Sequence, residues 1–253
     1  MSDFTIHRVN SIDSTNSQLL LWSTQLNCHR MVLVADVQTA GRGQRGRQWH
    51  AAAGDALLCS VAWQFARSCP LDGLSLAVGV MVTEALDYGI ARSERERLRL
   101  KWPNDLLIDE THKLGGILIE TVASGGGTRT AVIGIGLNLR TPVVDLPIIA
   151  LPTVGLDSWL GAKNHRDDVL NRVLTALDEG LEIFSRLGFS GFQARWWTRC
   201  AYATQRVTAR LPDGEVISGK MQRISDRGAL MIESERGLHT LISGEVSLRV
   251  ASA

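Results

Sequence analysis

The stretch QTAGRGQRGRQW (38–49) sets Gly41, Gly43 and Gly46 among Arg42, Arg45 and Arg47. Glycines let backbone N–H groups approach an anion closely and tolerate positive φ. Arginines add forked donors suited to phosphate or carboxylate, each such bond worth ~1.5–3 kcal/mol when desolvated. The residues suit a cationic loop that orders over a bound anion. A solvated surface loop is the alternative on this stretch alone. The glycines also spell G-x-G-x-x-G, but the dinucleotide-binding form needs a helix opening in the loop and an acid about 20 positions on. Here RQWHAAAGDALLCSVAW (47–63) runs into a strand, and no acid lies near position 66. Without GxxxxGK[ST], HRD or DFG, P-loop and protein-kinase sites are excluded.

A second cluster lies at KWPNDLLIDETHKLGGILIE (101–120). The chain has four lysines against 23 arginines, and two of the four, Lys101 and Lys113, fall here. Where arginine is the default cation, a lysine points to a compact point charge rather than a fork. Lys113 is followed by Leu114-Gly115-Gly116, so a ligand could lie on bare backbone beside the ammonium. A solvated turn lysine is the other reading. Trp102-Pro103-Asn104-Asp105 fixes a turn, since Pro sets φ and Asn and Asp bond their own backbone. Asn104 or Asp105 could instead face a ligand or a magnesium ion.

These stretches need elements to position them. STNSQLLLW (14–22) has the form of a capped helix start. VLVAD (32–36) and LLCSVAW (57–63) are strands by their short, partly β-branched apolar runs. Residues 71–90 are apolar on most of their surface and predict a buried helix. Residues 98–102, 106–108, 116–121 and 131–139 predict a strand meander with turns at 103–105, 109–113 and 124–128. Val169, Leu170, Val173, Leu177, Leu181 and Phe184 recur at helical spacing over 166–188, with Gly188 as the stop. From about 205 the period becomes two: QRVTARL, EVISGKM, ALMIES and LHTLIS, separated by PDG (212–214), DRG (226–228) and ERG (235–237), predict a small β-barrel appended to a mixed α+β domain.

With 253 residues, 45% hydrophobic and 21% charged, the chain can bury a sizeable core without staples. The net charge of +1 gives no basic field for nucleic acid. No apolar run approaches the ~18–20 residues of a membrane span, and no secretory signal is expected at the N-terminus. Cys28, Cys59, Cys69 and Cys200 show no CxxC pairing and predict reduced structural thiols of a cytoplasmic protein. The six histidines form no zinc-ligand cluster.

Five stretches in order, DSTN (13–16), VQTAGRGQRGRQW (37–49), KWPND (101–105), KLGGILIE (113–120) and GIGLNL (134–139), resemble the biotin–protein ligase family. The resemblance covers roughly residues 10–140, and the small C-terminal barrel fits it. It implies an α+β fold: a class II aminoacyl-tRNA-synthetase-like catalytic domain over 1–203, its mixed sheet flanked by helices, and a small SH3-like β-barrel over 204–253. It also implies a ligase that forms a carbon–nitrogen bond. Such an enzyme joins biotin and ATP, with Mg²⁺, into biotinyl-5′-AMP, then passes the biotinyl group to one lysine of the biotin carboxyl carrier domain of acetyl-CoA carboxylase. No DNA binding is expected, since the DSTN motif starts by residue 13 and leaves no room for a helix-turn-helix domain. A sheet edge could pair across a two-fold axis to give a homodimer.

The residues can carry that chemistry. Biotin's ureido ring is neutral and wants neutral partners, which Ser14, Thr15, Asn16 and Gln38 supply without a charge to desolvate. A plain N-cap is the other reading of 14–16, and both can hold. The resemblance extends the biotin wall to Arg42, Gly43, Gln44, Lys113, Gly115 and Gly116. It places ATP at Arg42, Arg45, Arg47, Trp49, Asn104, Lys113 and Asn138; a loop anchor is the other reading of Trp49, and a core-edge turn that of Asn138. Asp105 is the candidate for magnesium. Arg42, Arg47 and Lys113 would offset the repulsion between carboxylate and α-phosphate and stabilise the transition state. Gln44 departs from the family's loop, where a basic residue is usual; a neutral amide predicts weaker retention of the adenylate. A lipoate–protein ligase and a non-catalytic biotin-dependent binding protein are the competing readings.

Overall fold

The computed structural model describes residues 3–142, 151–161, 165–211, 213–242 and 247–250. Pro212 of the expected PDG turn and Ser243 at the end of LHTLIS lie outside them. In chain order the first part comprises β1 (Thr5–Ile12), α1 (Thr15–Ser23), β2 (Met31–Gln38), β3 (Ala56–Ala66), α2 (Leu74–Leu86), α3 (Arg92–Arg95), β4 (Leu98–Lys101), β5 (Asp105–Ile108), β6 (His112–Ser124) and β7 (Thr128–Asn138). There follow α4 (Leu156–Leu160), α5 (Arg166–Leu187), α6 (Gln193–Arg199), β8 (Arg206–Arg210), β9 (Val216–Ile224), β10 (Leu230–Ser234), β11 (Gly237–Leu241) and β12 (Ser247–Val250).

The first seven strands form one mixed sheet in the order β1-β2-β3-β7-β6-β5-β4. β1 runs parallel to β2, and every other pair is antiparallel. Period-two alternation splits its side chains between two faces. Val32, Val34, Val61, Ile133, Ile135 and Leu137 face a large core shared with α2 and α5. Leu33, Ala62 and Val132 face the other way, against Leu19 of α1. Helices therefore flank the sheet on both sides, as expected. α2 is buried almost throughout, and α5 packs on it so closely that a Cβ on Gly180 would lie 2.6 Å from Met81.

The helix expected over 71–90 is shorter, because Gly73, at φ 75°, ends the preceding turn in the left-handed region. β1 was not foreseen in the sequence: it is an edge strand, largely solvent-exposed, and carries no clean apolar alternation. α6 and β12 were missed because they are short, at seven and four residues.

The C-terminal strands form an open antiparallel sheet, β11-β10-β9-β8-β12. The small barrel expected over 204–253 is present as an open sheet: among the described residues the edge strands β11 and β12 do not pair with each other. The reason lies in the core. Val207, Ala209, Met221, Ile224, Leu230 and Ile232 join the same hydrophobic cluster as Trp102 and Trp196, so the first part of the chain covers a face that closure would otherwise bury. The Trp102 indole N–H donates to Gly228 O at 3.1 Å across this junction.

Candidate active site

The face of the sheet beneath α1 carries a cavity of about 440 Å³. The alternation of GIGLN makes it: Ile135 and Leu137 point into the core, so Gly134, Gly136 and Asn138 point outward. The glycines keep the floor bare. A Cβ on Gly136 would come within 2.7 Å of the Trp49 ring, and one on Gly134 within 2.4 Å of Asn16 Oδ1.

One end of the cavity is neutral. Ser14 caps α1 by accepting from the Ser17 N–H. Gln38 Oε1 accepts from the Thr15 N–H at 2.7 Å and from Thr15 Oγ1 at 3.0 Å. Ser60 Oγ lies 2.7 Å from Thr15 Oγ1 and donates to Asn16 Oδ1 at 2.6 Å. Asn16 Nδ2 donates in turn to Glu120 Oε2 at 3.0 Å. The cap and the cavity wall are one segment.

The glycine-rich loop closes a second side. The Gly43 N–H donates to Arg47 O at 2.7 Å and the Trp49 N–H to Gly41 O at 2.9 Å, pinning its base. Arg45 and Gly46 take φ of 62° and 68° to turn the tip. Trp49 then lies under Lys113, whose Nζ stands 5.6 Å from its ring centroid, within the range of a cation–π contact.

The third side is charged. Lys113 Nζ lies 2.5 Å from Asp105 Oδ1, and Lys101 Nζ lies 3.7 Å from Asp105 Oδ2. Burial pushes the Asp105 carboxyl up, but the ammonium groups of Lys113 and Lys101 outweigh it and hold the group below the usual carboxylate range. Burial lowers Lys101 from the usual lysine range; Asp105 opposes that shift, while Lys113, Arg47 and Arg249 add to it. With Arg47 beside them, three cations face one carboxylate, a field suited to an anionic ligand.

Ser14, Thr15, Asn16, Gln38, Arg42, Gly43, Gln44, Arg47, Trp49, Asn104, Asp105, Lys113, Gly116 and Asn138 all line this cavity. Two expected residues do not. Arg45 lines an adjoining cavity of about 400 Å³, whose wall also includes Arg47, Lys101, Asn104 and Asp105. Gly115 is a close-approach glycine of the sheet, since a Cβ there would meet Gly136 O at 2.7 Å. Both asparagines expected at the nucleotide spend their amides on backbone: Asn104 donates to Ile117 O at 2.7 Å and Asn138 to Val154 O at 3.2 Å.

Asp105 does not fit the magnesium site expected of it. Its carboxylate is held between two ammonium groups, and among the described residues it belongs to no group of three or more His, Cys, Asp or Glu placed to hold a metal.

Sequence reasoning singled out Lys101 without giving it a partner, and missed Ser60 and Glu120. The scarcity of lysine marked Lys101 as well as Lys113, but only the β4–β5 register sets Lys101 opposite Asp105. Counting by two from Gly116 through Leu118 would have placed Glu120 on the α1 face of the sheet, beyond the cavity lining.

Residues 9–138 match the Biotin/lipoate A/B protein ligase family, and residues 205–249 match the Biotin protein ligase C terminal domain. The chain is 33% identical over 242 residues to the bifunctional ligase/repressor BirA of Salmonella typhimurium, covering 95% of this chain and 73% of that one. It is 30% identical over 237 residues to the biotin--[acetyl-CoA-carboxylase] ligase of Paracoccus denitrificans, covering 92% and 96%. A biotin protein ligase from Aquifex aeolicus in complex with biotin and ATP superposes with a TM-score of 0.82 at 29% identity, covering 98% of this chain and 99% of that one. The family match, the two relatives and the shared fold agree, and the chain belongs to the biotin protein ligases of the Biotin/lipoate A/B protein ligase family.

Proposed function

We propose that the chain activates biotin with ATP to biotinyl-5′-AMP, then transfers the biotinyl group to a lysine of a biotin carboxyl carrier domain, that of acetyl-CoA carboxylase. The observation that carries this reading is one cavity with a neutral hydrogen-bonding end at Ser14, Thr15 and Gln38 and a cationic end at Arg47, Lys101 and Lys113. A neutral ureido ring suits the first end; a carboxylate meeting a phosphate suits the second.

In the first step a biotin carboxylate oxygen attacks the α-phosphorus and diphosphate leaves. The two reactants repel each other, and Lys113 and Arg47 offset that repulsion where the charge develops. Asp105 holds the Lys113 ammonium in place. Trp49 and the bare backbone of Gly116 and Gly136 exclude water from the mixed anhydride. In the second step the neutral amine of the carrier lysine attacks the acyl carbon, the acyl C–O bond breaks and AMP leaves, a carbon–nitrogen bond results, and the proton lost by the amine passes to solvent. No nucleophile from this chain is needed. Four free cysteines suit a reducing cytoplasm.

The test supplies [α-³²P]ATP with biotin or lipoate, then adds a carrier domain. Biotin-dependent labelled adenylate, released diphosphate and a biotinylated carrier lysine are expected. Lipoate-dependent adenylate alone, or biotin binding without diphosphate, would overturn the reading.

A further inference from the structure

We propose that Glu120 is a positioning residue that fastens the glycine-rich loop to the wall of the biotin cavity, so that its charge sets how firmly the loop retains the adenylate. The inference rests on the biotin-activation reading. Glu120 lies on β6, on the α1 face of the sheet, and is not part of the cavity lining. Its two carboxylate oxygens join three elements. Oε2 accepts from Asn16 Nδ2 at 3.0 Å and from Arg42 Nη1 at 3.1 Å, and Oε1 accepts from Arg42 Nη2 at 2.7 Å.

Asn16 is the fixed end of this bridge. It is 3% exposed, its Oδ1 accepts from Ser60 at 2.6 Å, and Gly134 leaves no room beneath it. Arg42 is the movable end. Its backbone bridges Gln48, so holding its guanidinium holds the base of the segment that carries Gln44, Arg47 and Trp49 over the cavity. A bidentate arginine–carboxylate pair fixes orientation as well as distance. The pair also assigns Arg42 differently from the other cations. Its fork is spent on Glu120, which leaves Arg47, Lys101 and Lys113 to meet the anionic ligand.

Glu120→Gln and Glu120→Ala in the full chain separate the two halves of the bridge. Glutamine keeps an acceptor for Asn16 but loses the charge that holds Arg42; alanine loses both. Without ligand, trypsin should cleave the Gln variant after Arg42, Arg45 and Arg47 about threefold faster than the parent, the effect of one half-exposed ion pair. The same variant should release biotinyl-AMP about threefold faster at unchanged Tm. The Ala variant should add a rise in the KM for biotin of about tenfold with little change in kcat. A Gln variant that matches the parent in cleavage and in release overturns the proposal, as does a change that only follows a fall in Tm. If the parent makes no adenylate, the biotin reading fails, while the cleavage comparison still decides whether Glu120 holds the loop.

Discussion

Lys113 and Asp105 meet across neighbouring strands with Nζ 2.5 Å from Oδ1. Their register depends on an irregularity between Leu106 and Leu107, where β6 carries Leu114 as an extra, fully buried residue. The bulge lets the two side chains share one face. The pair keeps an ammonium at the cavity wall without leaving its partner carboxylate uncompensated.

Lys113→Ala should lower biotin-dependent diphosphate release by about 10²–10³-fold, the loss expected for one preorganised charge at the reacting atoms. Lys113→Arg should not restore it, because a longer, planar fork would pair with Asp105 through a different geometry and carry its charge away from the point the ammonium occupies. Single-turnover release with radiolabelled ATP checks both.

The folded Asp105 carboxyl lies below its ordinary range, so the fold stabilises its charged form. That stability is fully present above the unfolded value of about 3.9 and is lost as pH falls through the lower folded value. Asp105→Asn leaves Lys101 and Lys113 unpaired and should cost about 3–5 kcal/mol at pH 7. The gap between parent and variant should narrow below pH of about 4. Urea unfolding at the two pH values decides it, and an unchanged gap would refute the assignment.

Gln44 lines the cavity at the start of the loop's turn, where it can donate to phosphate but not neutralise it. Gln44→Arg should slow release of biotinyl-AMP several-fold, since a charge-assisted bond is about twice as strong as a neutral one. A chase with unlabelled biotin measures the rate; equal rates would remove the explanation.

Gly136→Ala puts a methyl 2.7 Å from the Trp49 ring. Overpacking of this kind costs about 1–3 kcal/mol, and displacing Trp49 takes away its contact with Lys113. Adenylate formation should fall about tenfold while the fold persists. Gly125→Ala meets nothing within 4 Å and should change neither. Circular dichroism melts beside the activity assay report the contrast.

Much of the site was legible because its motifs are local. The loop, the KWPND turn and the GIGLNL strand each declare their chemistry within a few residues, and the period-two pattern carries them onto strands. What stayed hidden depends on register and on distant partners. Glu120 acquires its place only when β6 lies beside α1 and the loop, and Gly115 turns out to serve strand packing. Asp105 was legible as a polar turn residue, yet its engagement by two lysines follows from the pairing of three strands. The open C-terminal sheet was hidden because period two shows that a strand has a buried face and not what covers it.

The cationic loop is predicted to close over an adenylate made in this cavity. Hydrogen exchange of residues 41–49 tests it most directly, measured with biotin, with ATP, and with both, while diphosphate is quantified in the same samples. Slowed exchange with both substrates together, accompanied by diphosphate, is the predicted result. Exchange as fast as in the free protein, with no diphosphate formed, would contradict it.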